Sequence, residues 1–217
     1  MSLTEFIKHK IVFKMMKPFV LVQFSPPRSG STLVFNIMRE LFSSKKIFKV
    51  HTFRSMCQEM PTVVTFRHPL DCIASSIIRY KKDPTQEEIE RQIKIFNEQG
   101  LRDLVKIKDM DNILMLKYED YVNDFEYIYD HFEEFFKIKI SPKKRQALTE
   151  KYNIKSVEKM IEGGGSFAET DKKTQLHGNH ISKYKGASDY YEEFFSPEQI
   201  KLLKETYPDV LETFGYK

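Results

Sequence analysis

Short apolar runs alternate along the chain with longer stretches in which apolar residues recur every three or four positions. Residues 19–24 (FVLVQF) form such a run, stopped by Ser25, Pro26 and Pro27, and read as a buried strand. Past a Ser/Gly turn, Leu33, Val34, Ile37, Met38, Leu41 and Phe42 share one helical face over residues 32–42. Residues 47–50 predict a second short strand, and the β-branched run 62–66 a better one. Pro69 and Asp71 then open a helix that carries Ile73, Ile77 and Ile78. Asp83, Pro84 and Gln86 have the order of an N-cap, a first-turn proline and a capping-box glutamine. They predict a long helix through Ile89, Ile93, Phe96, Leu101, Leu104 and Val105. A further strand follows at 113–116, then helices at 124–136 and 142–152. Residues 162–179 are polar, glycine-bearing and aperiodic, the pattern of a surface loop, and Ser196, Pro197 and Glu198 cap a last helix that runs into Tyr207. Strands alternating with helices imply an α/β protein with a parallel sheet flanked by helices, and ligands at the C-terminal strand ends.

Length and charge narrow this picture. The 217 residues suit a single domain, with 1–17 as a lead-in and 162–180 as a flexible loop placed to act as a lid. A chain of this size buries roughly 70% of its unfolded surface and needs no disulfide or metal staple. Lys and Arg number 35 against 31 Asp and Glu, a net charge of +4, too little to wrap nucleic acid but suited to an anionic small ligand. Cys57 and Cys72 fit no metal-ligand spacing, which excludes zinc ribbons, disulfide scaffolds and CxxC redox chemistry and implies a reducing, cytoplasmic setting. Lys8, Lys10, Lys14 and Lys17 interrupt the N-terminal apolar residues, so no secretory core is expected there. Nowhere do 18 apolar residues run together, so no transmembrane segment is expected either.

The chemistry concentrates between the first strand and the first helix, at Ser25-Pro26-Pro27-Arg28-Ser29-Gly30-Ser31-Thr32. Backbone amides and the positive helix end converge at such a junction, Gly30 allows close approach, and the Ser31 and Thr32 hydroxyls add donors. Against the nucleotide-triphosphatase loop GxxxxGK[ST], Gly30 and Thr32 fit. Ser25 stands for the first glycine and Ser31 for the lysine that would meet the β/γ-phosphates. That mismatch disfavours a P-loop nucleotide or small-molecule kinase, and Arg28 is the loop's only cation.

Pro27-Arg28-Ser29-Gly30-Ser31-Thr32 resembles the 5′-phosphosulfate loop (PKSGTT or PRSGST) of the sulfotransferases that use 3′-phosphoadenosine 5′-phosphosulfate (PAPS). The resemblance puts Arg28 in the place of the usual lysine, beside the sulfuryl-bearing phosphate, where its charge is kept. Leu33 stands where cytosolic members have a tryptophan near adenine. The family's 3′-phosphate site is similar to Arg67 and Ser75, eight residues apart in the RxPxDxxxS pattern with Pro69 and Asp71. Tyr118-Glu119-Asp120 resembles the family's YED segment near adenine, and Ser156 to Met160 its SFxxM segment, with Val157 for the phenylalanine. Lys185-Gly186 followed by Tyr191, Phe195 and Ser196 is similar to KGxxGDWxxxFT, whose Lys-Gly closes over the 3′-phosphate.

The resemblance implies a P-loop-like sheet, PAPS as donor, adenosine 3′,5′-bisphosphate (PAP) as product, no required metal, and transfer to a small-molecule, lipid or carbohydrate acceptor. Lys49-Val50-His51 is similar to the family's K-T-H, with His51 as general base and Lys49 near the transferring group; a neutral imidazole suits proton removal near pH 7. Glu40 and Glu59 are rival bases on the pattern of the carbohydrate sulfotransferases, and His177 and His180 lie in or beside the glycine-bearing loop. A non-catalytic nucleotide-binding module would keep Arg28 and Arg67 without needing His51.

Overall fold

Four strands carry the fold: β1 (Val20–Phe24), β2 (Lys46–Val50), β3 (Thr62–Phe66) and β4 (Ile113–Lys117). They pair in parallel in the order β2-β1-β3-β4. The computed structural model describes residues 12–13, 15–162, 171–176, 181 and 184–216. β1 and β3 are buried along their whole length, because helices cover both faces of the sheet. Alternate side chains therefore feed two cores. Val20, Val22, Phe24, Val64 and Phe66 join one, and Leu21 and Val63 the other.

The second core holds α1 (Ser31–Leu41), α7 (Phe125–Phe136) and α8 (Pro142–Tyr152), through residues such as Ile37, Met38, Phe132 and Leu148. The first is closed by α2 (Ser55–Glu59), α3 (Pro69–Arg79), α4 (Gln86–Glu98), α5 (Asp103–Ile107) and the C-terminal helices α10 (Tyr191–Phe194), α11 (Pro197–Thr206) and α12 (Pro208–Thr213). The short α6 (Tyr118–Tyr121) follows β4 directly, and α9 (Ile154–Ile161) lies between α8 and the loop region. No described helix is long and apolar enough to cross a membrane.

The strands and the expected helices stand where the apolar pattern places them, α2, α6, α9 and α10 add to them without having been expected, and three local features differ. The long helix expected from 86 to 105 is two, α4 and α5, separated at Gly100, whose φ of +77° is left-handed. A Cβ there would sit 2.7 Å from the Phe24 ring, so packing against β1 demands the glycine, and the glycine breaks the helix. The cap of α4 is Thr85, whose hydroxyl accepts from the Glu88 amide, two residues later than Asp83. The helix capped at Ser196 has the full capping box with Gln199, yet it is not the last, since Pro208 starts α12 directly after Tyr207.

In the order β2-β1-β3-β4 the chain reverses direction across the sheet between β1 and β3. In an open parallel sheet the loops at that point part and leave a crevice at the C-terminal edge. The loop after β1 carries Arg28, the loop after β3 carries Arg67, His51 follows β2, and Tyr118 follows β4.

Candidate active site

Gly30 is the N-cap of α1 at φ +75°, and Arg28 before it also has positive φ, at +64°. A Cβ on Gly30 would meet the Tyr121 hydroxyl and lie 2.6 Å from Cδ2 of Tyr118, so only glycine fits. Ser29 is fully buried. Its hydroxyl donates to the Pro26 carbonyl at 2.8 Å and lies 3.2 Å from Oγ1 of Thr65, while Tyr121 donates to its carbonyl at 2.8 Å. The Ser29 side chain thus pins the loop to the sheet and faces away from the crevice. Ser31 and Thr32 open α1, where unpaired helix amides and the dipole favour an anion.

Pairing Phe66 with Lys117 brings Arg67 level with Tyr118. The Arg67 guanidinium lies 4.4 Å from the Tyr118 ring centre and 5.3 Å from that of Tyr190. Its Nη2 donates to the Ala187 carbonyl at 2.5 Å and is 3.5 Å from the Asp71 carboxylate. Asp71 also accepts from the amides of Asp189 and Tyr191, so it anchors the segment carrying Lys185 and Gly186 over Arg67. The Arg67 Nε is buried with no hydrogen-bond partner among the described residues. A buried charged donor left unmet is costly, so an anion arriving at that point gains a ready contact. Gly186, at φ +86°, packs so closely that a Cβ would lie 2.7 Å from the Tyr118 hydroxyl. Lys185 forms an ion pair with Glu158 at 2.9 Å. The two phosphate-type motifs meet directly: Arg28 Nε donates to the Ser75 hydroxyl at 2.9 Å, across 47 positions of sequence.

On the other side of β1, the β1/β2 register sets His51 beside Ser25. His51 Nδ1 is 2.9 Å from the Ser25 carbonyl oxygen, which can only accept, so Nδ1 carries the proton and Nε2 keeps its lone pair. Burial lowers the His51 pKa, and the charges of Lys49 and Arg79 lower it further against the hydrogen bond to Ser25. The imidazole is thereby neutral with Nε2 basic. Lys49 donates to the Thr32 hydroxyl at 2.7 Å, and burial, with Arg79 and Arg28 nearby, pushes its pKa down to about 8. Burial and Arg79 likewise bring Arg28 down to about 10. Cations crowded in a buried place are what a bound polyanion would relieve.

These groups line one cavity of about 730 Å³. Arg28, Gly30, Ser31, Thr32, Lys49, His51, Arg67, Ser75, Tyr118, Lys185 and Gly186 all border it, and Ser29 does not. Glu40 is tied instead to Lys151 at 2.6 Å and Lys144 at 3.6 Å, away from the cavity, and Glu59 ends α2 without bordering it. His177 and His180 lie outside the described residues, as do 163–170 of the expected lid. Several cavity residues had not stood out in the sequence, Arg79, Val122 and Ile154 among them. Arg79 follows Ser75 by one helical turn on α3, a spacing that could have revealed it. Val122 and Ile154 flank Gly186, and only the fold brings them there.

No family model matches the chain, and neither does any curated protein. Its fold is that of the PAPS-dependent sulfotransferases. Mouse sulfotransferase SULT7A1 complexed with PAP matches at 15% identity with a TM-score of 0.67, over 92% of this chain and 88% of that one. Retinol dehydratase in complex with androsterone and inactive cofactor PAP matches at 16% and 0.65, over 95% and 85%. The same enzyme in a complex with retinol and PAP matches at 17% and 0.64, over 96% and 86%.

Proposed function

We propose that the chain is a sulfotransferase that takes a sulfuryl group from PAPS and delivers it to a hydroxyl or amine of a small-molecule acceptor. The observation that carries this is the pairing, in one cavity, of a neutral His51 with a free Nε2 and the cations Lys49 and Arg28 at a helix N-terminus. PAPS, when bound, supplies a sulfuryl group on a phosphate oxygen, and the reaction exchanges that S–O bond for one to the acceptor. Arg28, Ser31, Thr32 and the first amides of α1 suit the 5′ end, and Arg67, Ser75, Lys185 and Gly186 the 3′-phosphate, with Tyr118 beside the base. The unmet Arg67 Nε supports that assignment. His51 Nε2 takes the acceptor proton, while Lys49 and Arg28 hold positive charge where the leaving oxygen gains negative charge. Androsterone and retinol beside PAP in the similar structures support small molecules as the acceptor class.

The reading is tested by ligand stabilisation. PAP should stabilise the protein without Mg²⁺, by ~2.7 kcal/mol at a hundredfold excess over its Kd, and Mg-ATP markedly less. Thermal melts in the two ligands check it. Equal or greater protection by Mg-ATP favours the kinase, which the serine at position 31 otherwise argues against.

A second expectation concerns Arg67. Arg67→Ala should weaken PAP by roughly 1.5–3 kcal/mol, the range for hydrogen bonds to charged groups, and 5′-AMP by much less, since 5′-AMP lacks a 3′-phosphate. Asp71 keeps its two amide donors in the variant, so the fold has support for the comparison. Calorimetry with both nucleotides decides, and an equal loss for the two would place Arg67 away from the 3′ position.

A further inference from the structure

The two strand ends that carry Arg67 and Tyr118 are joined by a side chain. The β3/β4 ladder ends where Phe66 pairs with Lys117. At Tyr118 the chain turns from β4 into α6, and the Tyr118 carbonyl accepts from the Val122 amide at 3.0 Å. That carbonyl therefore serves the helix. On the other strand the chain runs on through Arg67 to His68, the N-cap of α3, whose amide needs an acceptor. Glu119 supplies it, its Oε1 accepting from the His68 amide at 2.9 Å. The carboxylate thus adds one rung to the ladder, just past Arg67 on one strand and just past Tyr118 on the other.

The second carboxylate oxygen is also taken. Oε2 accepts from the Tyr216 hydroxyl at 3.1 Å. The segment that brings Tyr216 there packs on the same strand ends. The Phe214 ring lies 4.4 Å from that of Phe66, the Tyr216 ring meets His68 edge-on at 4.8 Å, and Lys117 Nζ sits 4.4 Å from the centre of the Tyr216 ring. Neither Glu119 nor Tyr216 is among the described residues that border the cavity. What borders it in front of this brace is the Arg67 guanidinium, set against the rings of Tyr118 and Tyr190 with its Nε unmet. A guanidinium fork reads a phosphate by direction as well as charge, so its place must be fixed.

We propose that Glu119 is a positioning residue for the donor: through the His68 amide it fixes Arg67 beside Tyr118, and Tyr216 holds the carboxylate from behind. This rests on the sulfotransferase reading above, in which Arg67 meets the 3′-phosphate. Truncating Glu119 takes this acceptor from the His68 amide and frees the strand ends to part. A glutamine keeps an acceptor for that amide, and its own N–H can meet the Tyr216 oxygen.

The test needs binding alone. Calorimetry with PAP and with 5′-AMP is run on wild type, Glu119→Ala, Glu119→Gln, Tyr216→Phe, Arg67→Ala, and Glu119→Ala combined with Arg67→Ala. Glu119→Ala should weaken PAP by about tenfold or more and 5′-AMP by less than about threefold, since 5′-AMP gives Arg67 no 3′-phosphate to read. Glu119→Gln should stay within about threefold of wild type for both. Tyr216→Phe, which keeps the ring, should weaken PAP less than Glu119→Ala does, with 5′-AMP again spared. In the Arg67→Ala background, Glu119→Ala should cost PAP less than about twofold more, because the group it positions is already gone. A merely structural role would weaken both nucleotides alike and add in full to Arg67→Ala, and either result would overturn the assignment. So would unchanged PAP affinity in Glu119→Ala, or a Glu119→Gln as weak as Glu119→Ala. If Glu119→Ala does not fold, Tyr216→Phe makes the comparison by itself, and an equal loss of the two nucleotides there, or no loss of PAP, counts against the proposal. Failure of PAP to bind the wild-type protein would instead overturn the sulfotransferase reading.

Discussion

His51→Ala should slow transfer from PAPS by about 10²- to 10⁴-fold, the usual consequence of losing a general base, while PAP binds almost as tightly as to wild type. The asymmetry follows from position. The imidazole stands on the β2 side of the phosphate loop, held by the Ser25 carbonyl, and Arg67 with Tyr118 stands on the β3 and β4 side. Steady-state turnover and PAP calorimetry on the same preparation check both halves. Full activity in His51→Ala would move the base elsewhere, and loss of PAP binding to the same degree as activity would make His51 a nucleotide contact. The pH profile adds a second signature. A base must be neutral to work, and burial lowers the His51 pKa, so the acidic limb of kcat/KM should have its midpoint below the ordinary imidazole value of 6.5. Lys49 must be charged to work, and its pKa near 8 in the free protein should make kcat/KM fall again above about pH 8. A bound anion restores the Lys49 proton, so the alkaline limb of kcat should lie higher than that of kcat/KM.

Gly30→Ala should cost about 2–5 kcal/mol of stability and abolish tight PAP binding. The left-handed backbone alone costs an alanine about 1–2 kcal/mol, and forcing a methyl against a packed core adds about 1–3. The new methyl would meet the Tyr121 hydroxyl and the Tyr118 ring, neither of which is a loose surface side chain, since both are buried. Gly215 supplies the control. It has a similar φ of +67° with nothing within 4 Å of a built Cβ, so Gly215→Ala should show the backbone cost alone. Urea unfolding of both variants checks the difference, and equal midpoints would mean the Gly30 loop yields without strain.

Much of this site is written locally. The strand at 20–24, the proline-bounded loop with Gly30, the helix after it, and the Arg67–Ser75 pair on a strand-to-helix junction all follow from turn chemistry and apolar period within about a dozen residues. The Lys49-x-His51 spacing is equally local, and so is the capping box at Ser196. These features depend on neighbours in sequence, and neighbours are what a sequence displays. Where a local signal met a distant partner, it lost. The periodicity that joins α4 to α5 is real, but Phe24 in β1 needs the space at Gly100, and the helix stops.

The chemistry of the site, by contrast, is decided by pairs far apart. The tautomer of His51 comes from a carbonyl 26 positions earlier, presented by the β1/β2 register. Arg28 finds Ser75 across 47 positions, and Arg67 donates to Ala187 across 120. Ser29 has the residue type of a ligand donor, yet the nearness of Thr65 on β3 turns its hydroxyl inward. Arg79 carries no motif at all, and only the path of α3 brings it to the cavity that His51 also borders. A sequence lists donors, acceptors and charges. Which of them share a buried volume, and so perturb one another, depends on chain crossings that only the packed sheet and its helices establish.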